Sequence, residues 1–331
     1  MENKIKTVEQ TARLIREGRI LVLAGEHNNL KILPKGKWIG GTIPYFMGTQ
    51  GGVFDKEHIF VEDFTDYVQY FEVSEHGPDD LAELTAERFE NSFRFVVVPA
   101  FSEIHVAFGN QASQLPDLYM TPMIGWVAGV QLEHVGKVKP FVFNGITGKA
   151  STDKLLAMHV GLPTDSFASL EIINIFQPGD GPVIRFPQAG FDVENATIDG
   201  LTTNFAQYLS HSKIDVRLPL VADYSGAAIN VSIQSVDVDA GTVRLFAPVD
   251  CRVEYRIASA PEDFSSAFLS MLPPEAANLL ASCNCVLNFL HLDLLGKSIG
   301  PFTGPFTFGE IGYVLLNQTL VYLRFHSKNQ P

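Results

Sequence analysis

The stretch GPFTFGEIGYVLLNQTLVYL, Gly304 to Leu323, sets one carboxylate and two side-chain amides into otherwise apolar, strand-like sequence. Glu310 stands between Gly309 and Gly312, where backbone can approach closely and amides can be exposed. A carboxylate buried there must be hydrogen-bonded or paired, because burying it bare costs several kcal/mol. Asn317 and Gln318 each offer a donor and an acceptor. Read as one strand, Leu316 to Leu323 sends Gln318 to one face and Asn317 to the other. Taken alone, the set suits first the plain completion of turn and strand hydrogen bonds, and second the polar floor of a pocket for a small hydrogen-bonding ligand. General acid or base chemistry at Glu310, at His291 or at a cysteine is a further possibility, although no pairing motif accompanies them.

Other motifs fall short of the chemistry they suggest. GITGKAS, Gly145 to Ser151, has Ala150 where a phosphate loop needs Ser or Thr and Phe143 where it needs its first glycine, so it reads as a hairpin turn. DYSGA around Ser225 lacks the first glycine of a nucleophile elbow. No His-Glu-x-x-His occurs, and Cys283-x-Cys285 is not a C-x-x-C knuckle, so no metal centre is expected and the cysteines read as buried and inert.

Composition bounds the partners. A net charge of −13 without a Lys/Arg-rich run argues against nucleic acid. No apolar run is long enough to span a membrane, and the charged N-terminus is not a secretory signal. Three cysteines suit a reducing, cytoplasmic setting, in which the sequons at Asn195, Asn230 and Asn317 carry no sugar. With 331 residues, 46% of them hydrophobic, the chain can build a large core and is expected to form two domains.

The elements that must position Glu310 follow from periodicity. Thr7 caps a helix over Val8 to Glu17, which feeds a buried strand, Ile20 to Ala24. Asp79 to Glu90 reads as an amphipathic helix, and another follows Ser102. Gly200 to Ser210 reads as a helix, followed by an antiparallel meander from Val216 to Ile257. A helix opens at Pro261, a second covers Pro274 to Ala281, and Cys285 to Leu292 returns to strand. No internal repeat is visible. Helices clustered between strand runs give an α+β class, mostly antiparallel sheets with helices packed on them, with domains at 1–200 and 201–331.

The meander INVSIQSVDVDAGTVRLFAPVDCRVEYRI, the helix at Pro261, GPFTFGEIG and LLNQTLVYL occur in the order found in the FIST C-terminal domain, which residues from about Ala228 to Phe325 resemble. LVLAGE, WIGGTIPYF and KPFVFNGITG give the N-terminal half a looser similarity to the FIST N-terminal domain. The resemblance implies a sensory module that binds a small polar metabolite such as an amino acid, without catalysis and without a required cofactor. It implies ligand contacts from Gly309, Glu310, Asn317 and Gln318, and backbone amides from Gly40, Gly41 and Thr42. The family's Cys and Arg strand is replaced by Leu287 to Leu292, so Asn288 and His291 take that space. In a strand these two point to opposite faces, and His291 is the better pocket candidate. No kinase, cyclase or methyl-accepting segment is attached, so a separate signalling protein is expected as partner. The resemblance also includes haem-based gas sensors, for which His159 or His291 is the candidate ligand.

Overall fold

Residues 3–224, 227–273 and 278–327 are described by the computed structural model. The chain is α+β, with mostly antiparallel sheets and short helices packed on them. Ser225 and Gly226 of the DYSGA stretch lie outside the described residues, as do residues 274–277 of the second expected helix.

The chain runs three times through one course. Each pass has an outer strand, a helix, an inner strand, a short helix, a second inner strand parallel to the first, a hairpin and a return strand. The inner parallel pairs are Leu21–Gly25 with Trp38–Thr42, Ser92–Pro99 with Met123–Ala128, and Leu279–Cys285 with Gly304–Thr307. The return strands Ile59–Asp63, Leu155–Gly161 and Leu320–Ser327 lie antiparallel against the first strand of their own pair. The hairpins cross over. Tyr45–Gly48 pairs with Gly304–Thr307, Val142–Asn144 with Trp38–Thr42, and Glu310–Gly312 with Met123–Ala128. Each pass therefore completes the sheet of another in cyclic order, and ladders carry residues from both sides of position 200. Residues 174–263, which hold the meander, are inserted after the outer strand of the third pass, Ser166–Ile173.

This repeat corrects the expectation of none. It survives in topology and in three close contacts rather than in residue identities. A Cβ on Gly40, Gly125 or Gly304 would stand 2.4, 1.9 or 2.0 Å from the carbonyl oxygen of Leu23, Val96 or Ser282. Each glycine thus lets one inner strand press on its parallel neighbour. The residues that follow, Gly41, Trp126 and Pro305, are opposed across the crossing hairpins by Val142, Glu310 and Phe46. Glu310 occupies the position that its two counterparts fill with apolar side chains, and all three are fully buried.

The Thr7 helix forms as expected over Val8–Arg16, with a reciprocal Thr7–Gln10 capping box. Three expectations are corrected. The Asp79 helix is a 3-10 segment, Pro78–Thr85, with Asp80 off helical geometry, and it stops short of Phe89, which stacks on Tyr70. Residues Leu201–Asn204 are strand, and the helix runs over Phe205–His211 with Asn204 as its cap. Finally, Leu279–Cys285 is strand and Val286–His291 is helix, the reverse of the expected order.

Candidate functional site

Glu310 is buried and hydrogen-bonded beside the Gly309 to Gly312 corner, as the sequence led us to expect. Its Oε2 accepts from the backbone N–H of Thr319 at 3.1 Å and from the Thr319 hydroxyl at 2.8 Å. Its Oε1 has no hydrogen-bond partner of ordinary geometry among the described residues. Burial pushes the carboxyl pKa up to about 8 against the opposing pull of Thr319, Cys285 and Thr307, so the group is largely protonated at neutral pH. The same burial raises the Cys283 and Cys285 thiols well above the ordinary range and leaves them unreactive.

Asn317 and Gln318 do not continue a strand. They fall in the break between Val314–Leu316 and Leu320–Ser327, where Gln318 takes φ +52°. Both tie the third pass to the insertion. Asn230 donates to the Asn317 carbonyl at 3.1 Å, and Ser232 donates its N–H to Asn317 Oδ1 at 3.3 Å and its hydroxyl to Gln318 Oε1 at 2.7 Å. Gln318 Nε2 reaches the Arg217 carbonyl at 3.0 Å and His291 Nδ1 at 3.3 Å.

Because Val286–His291 is a helix, Asn288 and His291 are three residues apart on neighbouring positions of one surface, not on opposite faces of a strand. Asn288 donates to Asn284 Oδ1 at 2.8 Å and, more weakly, to the Thr319 carbonyl at 3.4 Å, and His291 meets Gln318, so both side chains converge on the 317–319 break. Gly40 and Gly41 serve packing. A Cβ on Gly41 would lie 2.8 Å from the Trp126 ring, and the Thr42 hydroxyl donates to the Gly129 carbonyl at 2.8 Å. His159, the other haem-ligand candidate, is buried in its strand with Nε2 2.9 Å from the Ser74 hydroxyl.

The open space lies nearby, against the helix Glu103–Gln111. Its start is shaped by Phe101 at φ +61°, a left-handed conformation uncommon for a bulky residue, and by reciprocal capping. The Ser102 hydroxyl accepts from His105 N–H at 3.2 Å, while His105 Nδ1 accepts from Phe101 N–H at 3.3 Å. Nδ1 is therefore the acceptor and Nε2 carries the proton. That Nε2–H is buried and has no partner among the described residues. Burial lowers the His105 pKa to about 4, so the imidazole is neutral.

His105 lines a chamber of about 80 Å³ with Phe191, Asp192 and Phe308. The chamber shares Ala100, Phe101 and Arg244 with a cleft of about 630 Å³, walled by the loop Val135 to Pro140, by Thr152 and Asp153, and by Gln234 of the insertion. Both signs of charge face this cleft, Lys137, Lys139 and Arg244 against Glu103 and Asp153. Gln234 Oε1 is also buried without a partner among the described residues. The Arg244–Asp192 pair, at 3.4 Å and half-exposed, is too weakly held to fix the guanidinium. Sequence reasoning missed this cleft. The only local signal for it was Ser102 as a helix cap with His105 three residues on.

The buried histidines carry a pH dependence. His105 and His159, at about 4 and about 3, stay neutral in the fold, whereas the unfolded chain protonates them below about 6.5. The unfolded state binds more protons across that window, so their contribution to stability is full above about pH 6.5 and falls as the pH drops toward 4. Urea midpoints measured from pH 7 to pH 4.5 are expected to decline, and to decline less for His159→Gln.

Among the described residues no helix is long and apolar enough to cross a membrane. No curated protein and no solved structure matches the sequence. The family of unknown function DUF6976 matches residues 6–326, nearly the whole chain, and the protein belongs to that family.

Proposed function

We propose that the chain binds a small polar metabolite, an amino acid or a close relative, in the cleft at the start of helix Glu103–Gln111, and reports its presence to a separate protein. The observation that carries this reading is His105, a buried neutral imidazole whose Nε2–H lacks a partner among the described residues while its ring lines a chamber adjoining a cleft of about 630 Å³. A buried donor without a partner costs on the order of 1–3 kcal/mol, which a ligand carboxylate would recover. Lys139 and Arg244 add positive charge for that carboxylate, and Glu103 and Asp153 offer acceptors for an ammonium group. Phe308, within the GPFTFGEIG stretch, forms part of the chamber wall, which joins the sequence motif to the site.

The test is a thermal-shift series with each of the twenty amino acids at 10 mM. At least one is expected to raise the unfolding midpoint of the wild type, since a ligand at a hundredfold excess over its Kd stabilises by about 2.7 kcal/mol. The shift should shrink to less than about half in Arg244→Ala, whose side chain is exposed and whose loss leaves the fold intact. No shift with any member, or equal shifts in the variant, would count against this reading.

A further inference from the structure

We propose that a second cleft, at the opposite end of helix Glu103–Gln111, binds a neutral amphipathic small molecule with an apolar body of one or two rings and an N–H or O–H donor. This site is independent of the first and does not rest on its assignment. The cleft measures about 280 Å³. That is nearly twice the roughly 150 Å³ apolar cavity that accommodates benzene. Its body is apolar, formed by Ile229, Val231, Ala247 and Val249 of the insertion with Leu315 of the Glu310 hairpin. Water filling such walls would lack hydrogen-bond partners, whereas a ring system would gain contact along them.

One polar feature gives the occupant an orientation. Asn110, on the last turn of the helix, lines the cleft, and its Oδ1 is buried without a partner among the described residues. A turn of the Asn110 amide toward the cleft it lines would bring that acceptor to a donor on the ligand. Charge in the cleft is already committed: Asp250 is paired with Arg252, whose Nε lies 2.9 Å from Oδ1, and the pairing lowers the Asp250 pKa. The site therefore holds no spare cation to select an anionic ligand. Tyr119 and Tyr313, with ring centroids 5.1 Å apart, form an aromatic edge beside the mouth, and Tyr313 is held at φ +64° by the hairpin turn.

Indole has the required body and donor, and 1-methylindole has the same body without the N–H. Titrated into the full chain by calorimetry, indole should bind saturably at one site, and 1-methylindole about tenfold more weakly, the loss of one hydrogen bond to a buried acceptor. In Asn110→Ala the discrimination should fall below about twofold. Ser113→Trp and Ala189→Trp place bulk at two exposed wall positions, so at least one should keep the wild-type unfolding midpoint while weakening indole binding by more than about tenfold. The proposal is overturned if indole shows no saturable binding up to its solubility limit, if the two indoles bind the wild type equally, or if folded tryptophan variants bind indole as the wild type does.

Discussion

Replacing Glu310 with Gln is expected to make the protein more stable than the wild type in alkaline solution while leaving the two indistinguishable near pH 4. The carboxyl is held protonated in the fold, with a pKa of about 8, and loses its proton near 4.5 in the unfolded chain. Between those values the folded state binds more protons, so this group's contribution to stability is full below about pH 4.5 and is lost as the pH rises through 8. Glutamine fills the same space, accepts from Thr319 and cannot ionise. The gap between variant and wild type should widen from near zero at pH 4 to a few kcal/mol at pH 9, read from urea midpoints. A constant gap would mean that Glu310 is already ionised in the fold. Together with the opposite trend of His105 and His159, the wild type should reach its maximum stability near pH 6.5. This position is filled by Phe46 and Val142 in the other two passes, so the fold does not need a carboxyl here.

The second large effect belongs to the glycines between parallel strands. In Gly125→Ala the new methyl would stand 1.9 Å from the Val96 carbonyl oxygen, with the backbone N of Val96 at 2.9 Å. Both neighbours are backbone in a central, fully buried strand pair, so neither can move without breaking the ladder. We expect the variant to be insoluble or to lose more than about 4 kcal/mol, the range reached only by severe steric conflict or burial errors. Gly40→Ala and Gly304→Ala should follow, since their contacts are 2.4 and 2.0 Å. Gly181→Ala, with nothing within 4 Å, is the control and should unfold at or slightly above the wild-type midpoint. A Gly125→Ala protein of normal stability would mean that these strands are not in such close contact.

Much of the local structure was legible because single residues dictate it. Thr7 and Gln10 form a capping box, GITGK turns a hairpin, and Glu310 between glycines is buried and bonded. The Leu287 to Leu292 segment misled because LNFLHL is too short for periodicity to separate strand from helix, although Asn288 and His291 stand at helical spacing within it. The break at Gln318 was hidden because its left-handed backbone is stabilised by Ser232 and Arg217, both distant in sequence. The threefold course was invisible for a related reason: each pass conserves backbone path and one close-packed glycine, while Glu310, Phe46 and Val142 share a position and no chemistry. The cleft was least legible of all. His105, Lys139 and Arg244 come from the second pass, its hairpin connection and the insertion, and it is tertiary packing, of Pro248 beside Gly109 and of Phe191 against Gly109 and His105, that brings the insertion against the helix.

The most direct measurement is the NMR spectrum of the His105 imidazole in the full chain, with ¹⁵N-labelled histidine, before and after adding the amino acid that gives the largest thermal shift. If that amino acid binds as proposed, His105 remains neutral with Nε2 protonated, its Nε2–H resonance moves into the hydrogen-bonded range at saturation, and the change is lost in a Lys139→Ala, Arg244→Ala double variant. Unchanged His105 resonances at saturating ligand, or the same change in the double variant, would contradict the assignment of this cleft as the binding site.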